Sequence, residues 1–295
     1  MRGSPLHPFV FKLGRIGDMV MLTAALRLLH ARYGKPCYLA AADFWAPEVY
    51  LGLPEVAECW PLPRQAPFLL GSAWPAILRA LRGTAPGPVY VFEHHRRQVP
   101  RIRRLLWLSG IDPQRVINID TQPGMELLWL DCLMQFARRT PSAFAESDYP
   151  VPPGSFDGVP HLCVLPSERD ERNEWLRRRG WRGEPLILVQ PGNHRTMGRR
   201  RISHWRDRDD KIWPASRWAE LLRRINSEMP DAMILLRGAA AEVSLLEHIR
   251  REAALPRVVV AETPLRLLFA LCECAHSMIS VDTGPAHAAA ALGLP

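Results

Sequence analysis

The sequence predicts an α/β fold built from two parallel-sheet domains, and three observations carry that expectation. Short apolar runs of strand length alternate almost throughout with segments whose apolar residues recur every three or four positions, the pattern of layered strands and helices. A proline-rich break, Tyr149-Pro150-Val151-Pro152-Pro153-Gly154 with Pro160 and Pro166 close behind, divides the alternation into two series and reads as a linker. At several strand ends, small or polar residues lead straight into a helix start.

In the first series, Phe9-Val10-Phe11-Lys12-Leu13 reads as a strand and Gly14-Arg15-Ile16-Gly17 as a turn. The helix that follows places Met19, Leu22, Leu26, Leu29 and Tyr33 on one face. Further strands are expected at Cys37–Ala41, Val89–Phe92 and Val116–Ile119, with helical patterns near Trp74–Arg82, Val99–Leu108 and Glu126–Arg138. These elements make a first domain of residues 1–160. In the second, residues 161–295, strands Leu186–Gln190, Ala232–Leu236, Arg257–Val260 and Met278–Val281 alternate with helices Pro214–Ile225, Ala240–Glu252, Leu265–Ala275 and one from about Pro285. Two such units leave a cleft between the carboxyl ends of their strands, where ligands of α/β sheets bind.

The chain is long enough, at 295 residues, to bury one large or two medium cores. Its 47% hydrophobic and 23% charged residues suit an ordinary soluble protein. No apolar stretch reaches the roughly 18 residues of a membrane span. The best candidate, Phe9 to Leu29, is interrupted by Lys12, Arg15, Asp18 and Arg27. Without a convincing signal peptide either, a cytoplasmic location is expected. The six cysteines are scattered, which suits reduced thiols rather than a disulfide framework. Cys272-Glu273-Cys274 is the one close pair, in a helical pattern where neighbours two apart do not face each other, so no metal is expected there. The net charge of +8 comes almost wholly from arginine. One cluster is Arg96, Arg97, Arg101, Arg103 and Arg104; another is Arg199, Arg200, Arg201, Arg206 and Arg208. They read either as solvated faces or as attraction to an acidic substrate or an anionic membrane surface. No nucleic-acid module accompanies them, so nucleic acid is not an expected partner.

Five places could carry chemistry, besides the pair His94-His95. Gly14-Arg15-Ile16-Gly17-Asp18 lacks the three-glycine dinucleotide spacing, but its glycines permit close ligand approach and Asp18 falls in a first helical turn. There Asp18 either complements the helix dipole or acts as a general base. Lys211, in Asp209-Asp210-Lys211-Ile212-Trp213-Pro214, lies in a loop before a helix whose N1 residue is expected to be Pro214. It is one of only three lysines. Gly192 follows a strand in Gln190-Pro191-Gly192-Asn193-His194, with an arginine-rich loop or flap after it. Glu242 opens a helix after Gly238, where it complements the dipole or meets a ligand. The last place is Ser280-Val281-Asp282-Thr283-Gly284-Pro285-Ala286-His287. Thr283 is expected to cap the helix, Pro285 to sit in its first turn, and the free N–H groups to form an anion site. His94-His95, beside Arg96 and Arg97, end a strand, where adjacent side chains point oppositely.

Asp-Asp-Lys-x-Trp-Pro followed by Asp-Thr-Gly-Pro-x-His resembles the bacterial ADP-heptose:lipopolysaccharide heptosyltransferase family, glycosyltransferase family 9. The likeness spans Phe9 to Pro295 and is strongest after Leu186. It implies a GT-B-type fold, two Rossmann-like parallel-sheet domains facing across a cleft, and metal-independent, inverting transfer of a heptose or similar sugar. By that likeness Asp18 is the base and Lys211 offsets the charge of the departing nucleotide. Gly17, Gly192, Glu242, Asp282, Thr283, Gly284 and His287 hold the donor, with Glu242 on its ribose. His95, Arg96 and Arg97 are acceptor candidates. No cofactor is implied. The implied partners are a nucleotide sugar of the ADP-heptose kind and an anionic inner-core lipopolysaccharide at the cytoplasmic face of the inner membrane. Two departures stand out: Gln190 replaces a frequent His, and Arg206 and Asp207 stand where hydroxyl residues often precede the lysine loop. Asp207-Arg208-Asp209 also fits the Asp-x-Asp pattern of metal-dependent transferases, but the Lys-x-Trp-Pro context points to the metal-independent class. Family chains continue past Leu294-Pro295 with another strand and helices, so either the second domain is shortened or the sequence is a fragment. A sugar-nucleotide epimerase or hydrolase on the same scaffold, or a non-catalytic sugar-nucleotide or glycan binder, are the alternatives.

Overall fold

A computed structural model describes residues 3–62, 72–83, 86–119, 128–153, 158–193, 196 and 213–295. The chain divides into two compact units, Met1–Cys163 and Val164–Pro295.

The first unit holds strands β1 (His7–Lys12), β2 (Cys37–Ala42), β3 (Val56–Leu62), β4 (Pro86–Val91) and β5 (Val116–Asn118). They form one parallel sheet in the order β3-β2-β1-β4-β5. Helices α1 (Ile16–Tyr33), α2 (Ala46–Tyr50), α3 (Trp74–Leu81), α4 (Gln98–Leu108) and α5 (Trp129–Arg138) connect and cover it. Successive side chains of a strand point to opposite faces, and the central strands use both. Phe9, Phe11, Ala40, Ala42, Val89 and Val91 pack with Ile77, Leu81, Ile102 and Leu105 of α3 and α4. On the α1 side, Tyr33, Tyr90, Phe92 and Phe136 meet edge to face. Arg32 is buried among them. Its guanidinium donates to the carbonyls of Ala137 (2.6 Å), Arg139 (3.0 Å) and Tyr149 (3.0 Å) and to the Thr140 hydroxyl (2.6 Å). Arg32 thereby ties the Tyr149 segment to the first unit.

The second unit holds β6 (Leu186–Gln190), β7 (Met233–Gly238), β8 (Val258–Glu262) and β9 (Ser277–Ser280) in the parallel order β8-β7-β6-β9. Helices α6 (Pro166–Arg177), α7 (Ala215–Glu228), α8 (Val243–Ala253), α9 (Leu265–Cys274) and α10 (Gly284–Ala291) accompany it. Trp218, Ala219 and Leu222 of α7 and Leu245 and Ile249 of α8 close over Ile187, Val189, Ile234 and Leu236.

Several expectations are corrected. β3 was not anticipated: it is an edge strand paired with β2 alone, and Pro61 within it costs no ladder bond to a second neighbour. Pro166 does not continue a linker but opens α6, a helix so polar that only Arg172 and Leu176 are buried. Ion pairs hold it to α9: Arg266 to Glu168 (2.6 Å), and Arg169 to Glu273 (2.7 Å). Pro214 stands at the N-cap of α7 rather than at N1. His94 and His95 lie beyond the end of β4, in a loop rather than on a strand.

Candidate functional site

Strand order creates a switch point in each sheet. In the first unit the chain steps from β1 outward to β2 and β3, then crosses to the other side of β1 for β4 and β5. In the second it steps from β6 to β7 and β8, then crosses to β9. At such a point the two loops leaving adjacent strands diverge to opposite faces of the sheet and leave a crevice at the carboxyl ends. The candidate residues cluster at these two places, and each is described within its own unit.

At the β1/β4 switch point, Gly14 and Arg15 follow β1 and Asp18 is the third residue of α1. Its Oδ2 accepts the backbone N–H of Arg15 (2.8 Å), satisfying an otherwise orphaned donor at the helix start. A Cβ at Gly14 would lie 2.5 Å from that of Asp18, so the carboxylate folds back only because residue 14 has no side chain. Gly17 is buried in the first turn.

The loop after β4 contributes a residue that sequence reasoning missed. Glu93 is 3% exposed. Its Oε2 accepts the N–H of Leu13 (3.0 Å), and its Oε1 accepts those of His94 (3.0 Å) and His95 (2.8 Å). One carboxylate thus holds together the two loops that diverge at the switch point. The available signal was a lone acid directly after an apolar strand. Lys12, 1% exposed at the end of β1, points its ammonium at the Trp129 ring, 4.8 Å from the centroid. The His94 ring packs on the same indole. Partial burial of its ring, reinforced by the Lys12 charge, holds the imidazole of the otherwise exposed His94 below its ordinary value of 6.5 against the opposing pull of Glu93 and Asp18. His94 is therefore neutral at pH 7. His95, Arg96 and Arg97 are exposed beside it.

At the β6/β9 switch point, β6 ends at Gln190 and passes into Pro191, Gly192 and Asn193. The N–H of Val281, after β9, donates to the Gln190 carbonyl (3.3 Å), so the two loops part just beyond. Glu242 comes in from the β7 side. It is 1% exposed and lies in the single 3-10 turn Ala240–Glu242 that precedes α8. Its Oε2 accepts the Ala239 N–H (2.9 Å), and its Oε1 accepts the Thr196 hydroxyl. That hydroxyl also accepts the Asn193 N–H (2.7 Å). Gly192 and Gly238 flank the carboxylate so tightly that a side chain at either would meet it. Gln190 and Arg237, also missed as site residues, lie beneath: the Arg237 guanidinium donates to the Gln190 side-chain oxygen and to the Thr263 hydroxyl (2.6 Å). Burial lowers Arg237 to about 10, partly offset by Glu242, so it remains charged at pH 7.

Thr283 occupies the N-cap position of α10, with Pro285 in the first turn as expected. Its backbone is extended there, φ −156° and ψ 161°, as an N-cap residue's usually is, but its hydroxyl makes no capping hydrogen bond, which corrects the expected side-chain cap. Asp282 and His287 approach each other across the turn at 3.9 Å. Lys211 and the arginine cluster from Arg199 to Arg208 lie outside the described residues. The Trp213 that follows Lys211 packs edge to face on Trp218 of α7 (4.9 Å), anchoring that end of the motif. Among the described residues, no group of three or more His, Cys, Asp or Glu could hold a metal ion, and no helix is long and apolar enough to cross a membrane.

Residues 200–295 match the family model of glycosyltransferase family 9 (heptosyltransferase). No curated protein matches the sequence. Among solved structures the chain resembles a glycosyl transferase family 9 protein from Veillonella parvula DSM 2008, with a TM-score of 0.75 and 15% identity over 99% of this chain and 79% of that one. It also resembles the E. coli heptosyltransferase WaaC with ADP-2-deoxy-2-fluoro heptose, with a TM-score of 0.64 and 16% identity over 98% and 87% of the two chains. The same enzyme with ADP gives a TM-score of 0.61 at 17% identity, over 98% and 86%. The two parallel-sheet units are thus those of a GT-B-type fold.

Proposed function

We propose that the chain, whose residues 200–295 match the model of glycosyltransferase family 9, is a transferase of that family that moves a heptose or similar sugar from an ADP-sugar to an inner-core lipopolysaccharide acceptor, with inversion. The observation that carries the reading is the construction of the β6/β9 switch point. An extended Thr283 leads into α10, whose first-turn amides and dipole suit a diphosphate, and an enclosed Glu242 stands on the adjoining loop. The complexes of WaaC with ADP and with a fluorinated ADP-heptose support the choice of donor.

In this mechanism the second unit holds the donor. The Gly284 turn receives the diphosphate, Asp282 and His287 orient it and the sugar, and Gly192 allows the nucleotide to approach. A carboxylate oxygen accepts two hydrogen bonds, so Oε1 of Glu242 takes a ribose hydroxyl beside that of Thr196. Lys211 and the amide turn stabilise the charge that develops on the departing ADP. Asp18 takes the proton from the acceptor hydroxyl as its oxygen attacks the anomeric carbon. Gly17, in the same turn as Asp18, joins the donor contacts, while His95, Arg96 and Arg97 meet the anionic acceptor. The acceptor is lipid-anchored, so the protein works at the cytoplasmic face of the inner membrane. Mass spectrometry of a heptose-deficient lipopolysaccharide incubated with ADP-heptose tests the reading. A mass gain of one heptose is expected. Release of free or epimerised sugar with the acceptor unchanged would overturn it.

A further inference from the structure

The exposed face of α4 is not absorbed by the candidate site. Between Arg96 and Gly110 the chain carries five arginines and no Asp or Glu. The helix splits sharply. Ile102, Leu105 and Leu106 are buried against the sheet, whereas Pro100, Arg103, Arg104, Trp107 and Leu108 form one solvent-facing stripe. At about 100° per residue these five positions fall within roughly 140° of the helix circumference. Trp107 is 74% exposed and Leu108 48%. Packing within the unit does not account for an indole so placed. Arg96 and Arg97, also exposed, extend the basic surface before the first turn.

We propose that the Arg103-Arg104-Trp107-Leu108 face of α4 docks on an anionic lipid bilayer, with Trp107 and Leu108 entering the headgroup region. Two terms favour this occupant over another. Arginines flanking an exposed Trp and Leu combine the charge attraction and the apolar insertion that interfacial helices use. The same uninterrupted positive charge opposes a second copy of this face, since two such helices would bring like charges together. The inference deepens the proposed lipid-anchored acceptor and rests on that reading for its purpose, but the lipid contact is measurable without any substrate. Because α4 begins at Gln98, directly after the loop carrying His94 to Arg97, docking holds the acceptor-side loop at the surface from which a lipid-anchored sugar projects.

The test is co-sedimentation of the full chain with vesicles of phosphatidylethanolamine and phosphatidylglycerol, and with vesicles of phosphatidylcholine alone. Binding to the first, weakened by salt, and little to the second is expected. Trp107→Ser/Leu108→Ser should lose about tenfold or more in partitioning. Arg103→Ser/Arg104→Ser should lose about fivefold per arginine. Both variants should keep the parent's circular dichroism and melting temperature, since all four side chains face solvent. Binding unchanged in both variants, or equal binding to the two vesicle types, would overturn the proposal. So would a dimer in sedimentation equilibrium that Trp107→Ser/Leu108→Ser dissolves, because the face would then belong to a second copy. If α4-dependent vesicle binding is found while no acceptor is glycosylated, the docking surface stands and the transferase reading fails, so the two failures are distinguishable.

Discussion

The carboxylate of Glu242 occupies the space that a side chain at Gly192 would need. The two residues stand on the segments that follow different strands, β6 and β7, and their fit brings a buried acid to the edge of the β6/β9 switch point. Gly192→Ala must push the carboxylate away from Thr196 and Ala239 or move the loop. Overpacking of that kind costs about 1–3 kcal/mol. ADP affinity measured by calorimetry should fall about tenfold or more, with a lowered melting temperature. Parental affinity in this variant would remove Glu242 from the donor site.

Asp18 has a structural role beside its proposed chemical one, and the two can be separated. Asp18→Asn keeps an oxygen to accept the Arg15 N–H but cannot take a proton. It should melt close to the parent while turnover drops about 10²–10⁴-fold. Asp18→Ala also loses the helix-start contact and should be less stable by about 0.5–2 kcal/mol. Equal turnover in Asp18→Asn and the parent would exclude Asp18 as the base.

Glu93 holds three backbone donors from two loops. Glu93→Ala leaves them without that acceptor, and a buried unsatisfied group costs about 1–3 kcal/mol. Denaturant unfolding should show a loss above about 2 kcal/mol. Glu93→Gln retains one acceptor oxygen and should recover part of it. As a positioning residue, Glu93 should affect kcat more than the KM for donor in the Gln variant; an unchanged kcat would limit it to stability.

The second unit should weaken in acid in a defined way. Glu168 and Glu273 both sit below their ordinary value of 4.5. For Glu168, burial pushes upward but the hydrogen bond and charge of Arg266 outweigh it; for Glu273, the hydrogen bond from Arg169 leads. A depressed folded value means that these pairs contribute fully above pH 4.5 and lose their contribution as pH falls through the folded values. Melting temperature should therefore decline below pH 4.5. Arg266→Met should be less stable at neutral pH and show a shallower decline. Parallel pH profiles for the two proteins would show that the α6–α9 pair carries no linkage.

Local pattern makes most elements legible in the sequence. The buried face of α1 and the apolar runs of β1, β2, β6 and β7 follow directly from three- to four-residue spacing and from continuous burial. The failures have physical causes. β3 contains Pro61 and the exposed Glu58, tolerated because it is an edge strand, and edge status is not a local property. The segment from Pro166 to Arg177 has almost no apolar stripe; ion pairs to α9 hold α6 in place, and their partners lie about a hundred residues away. Glu93 was invisible for the same reason, since one of its three donors, Leu13, is 80 residues distant.

By itself the sequence determined the alternation of strands and helices, the turn chemistry that ends strands in glycine or in Thr283-Gly284, and the placement of Asp18, Glu242 and Asp282 at those ends. These depend on neighbours within a turn or two of chain. Strand order was decided only in three dimensions, because which strands pair is settled by burying both faces of each sheet at once. That order sets β4 beside β1 and β9 beside β6. It thereby converts scattered motifs into two switch-point clusters, one gathered by Glu93 and the other by Glu242.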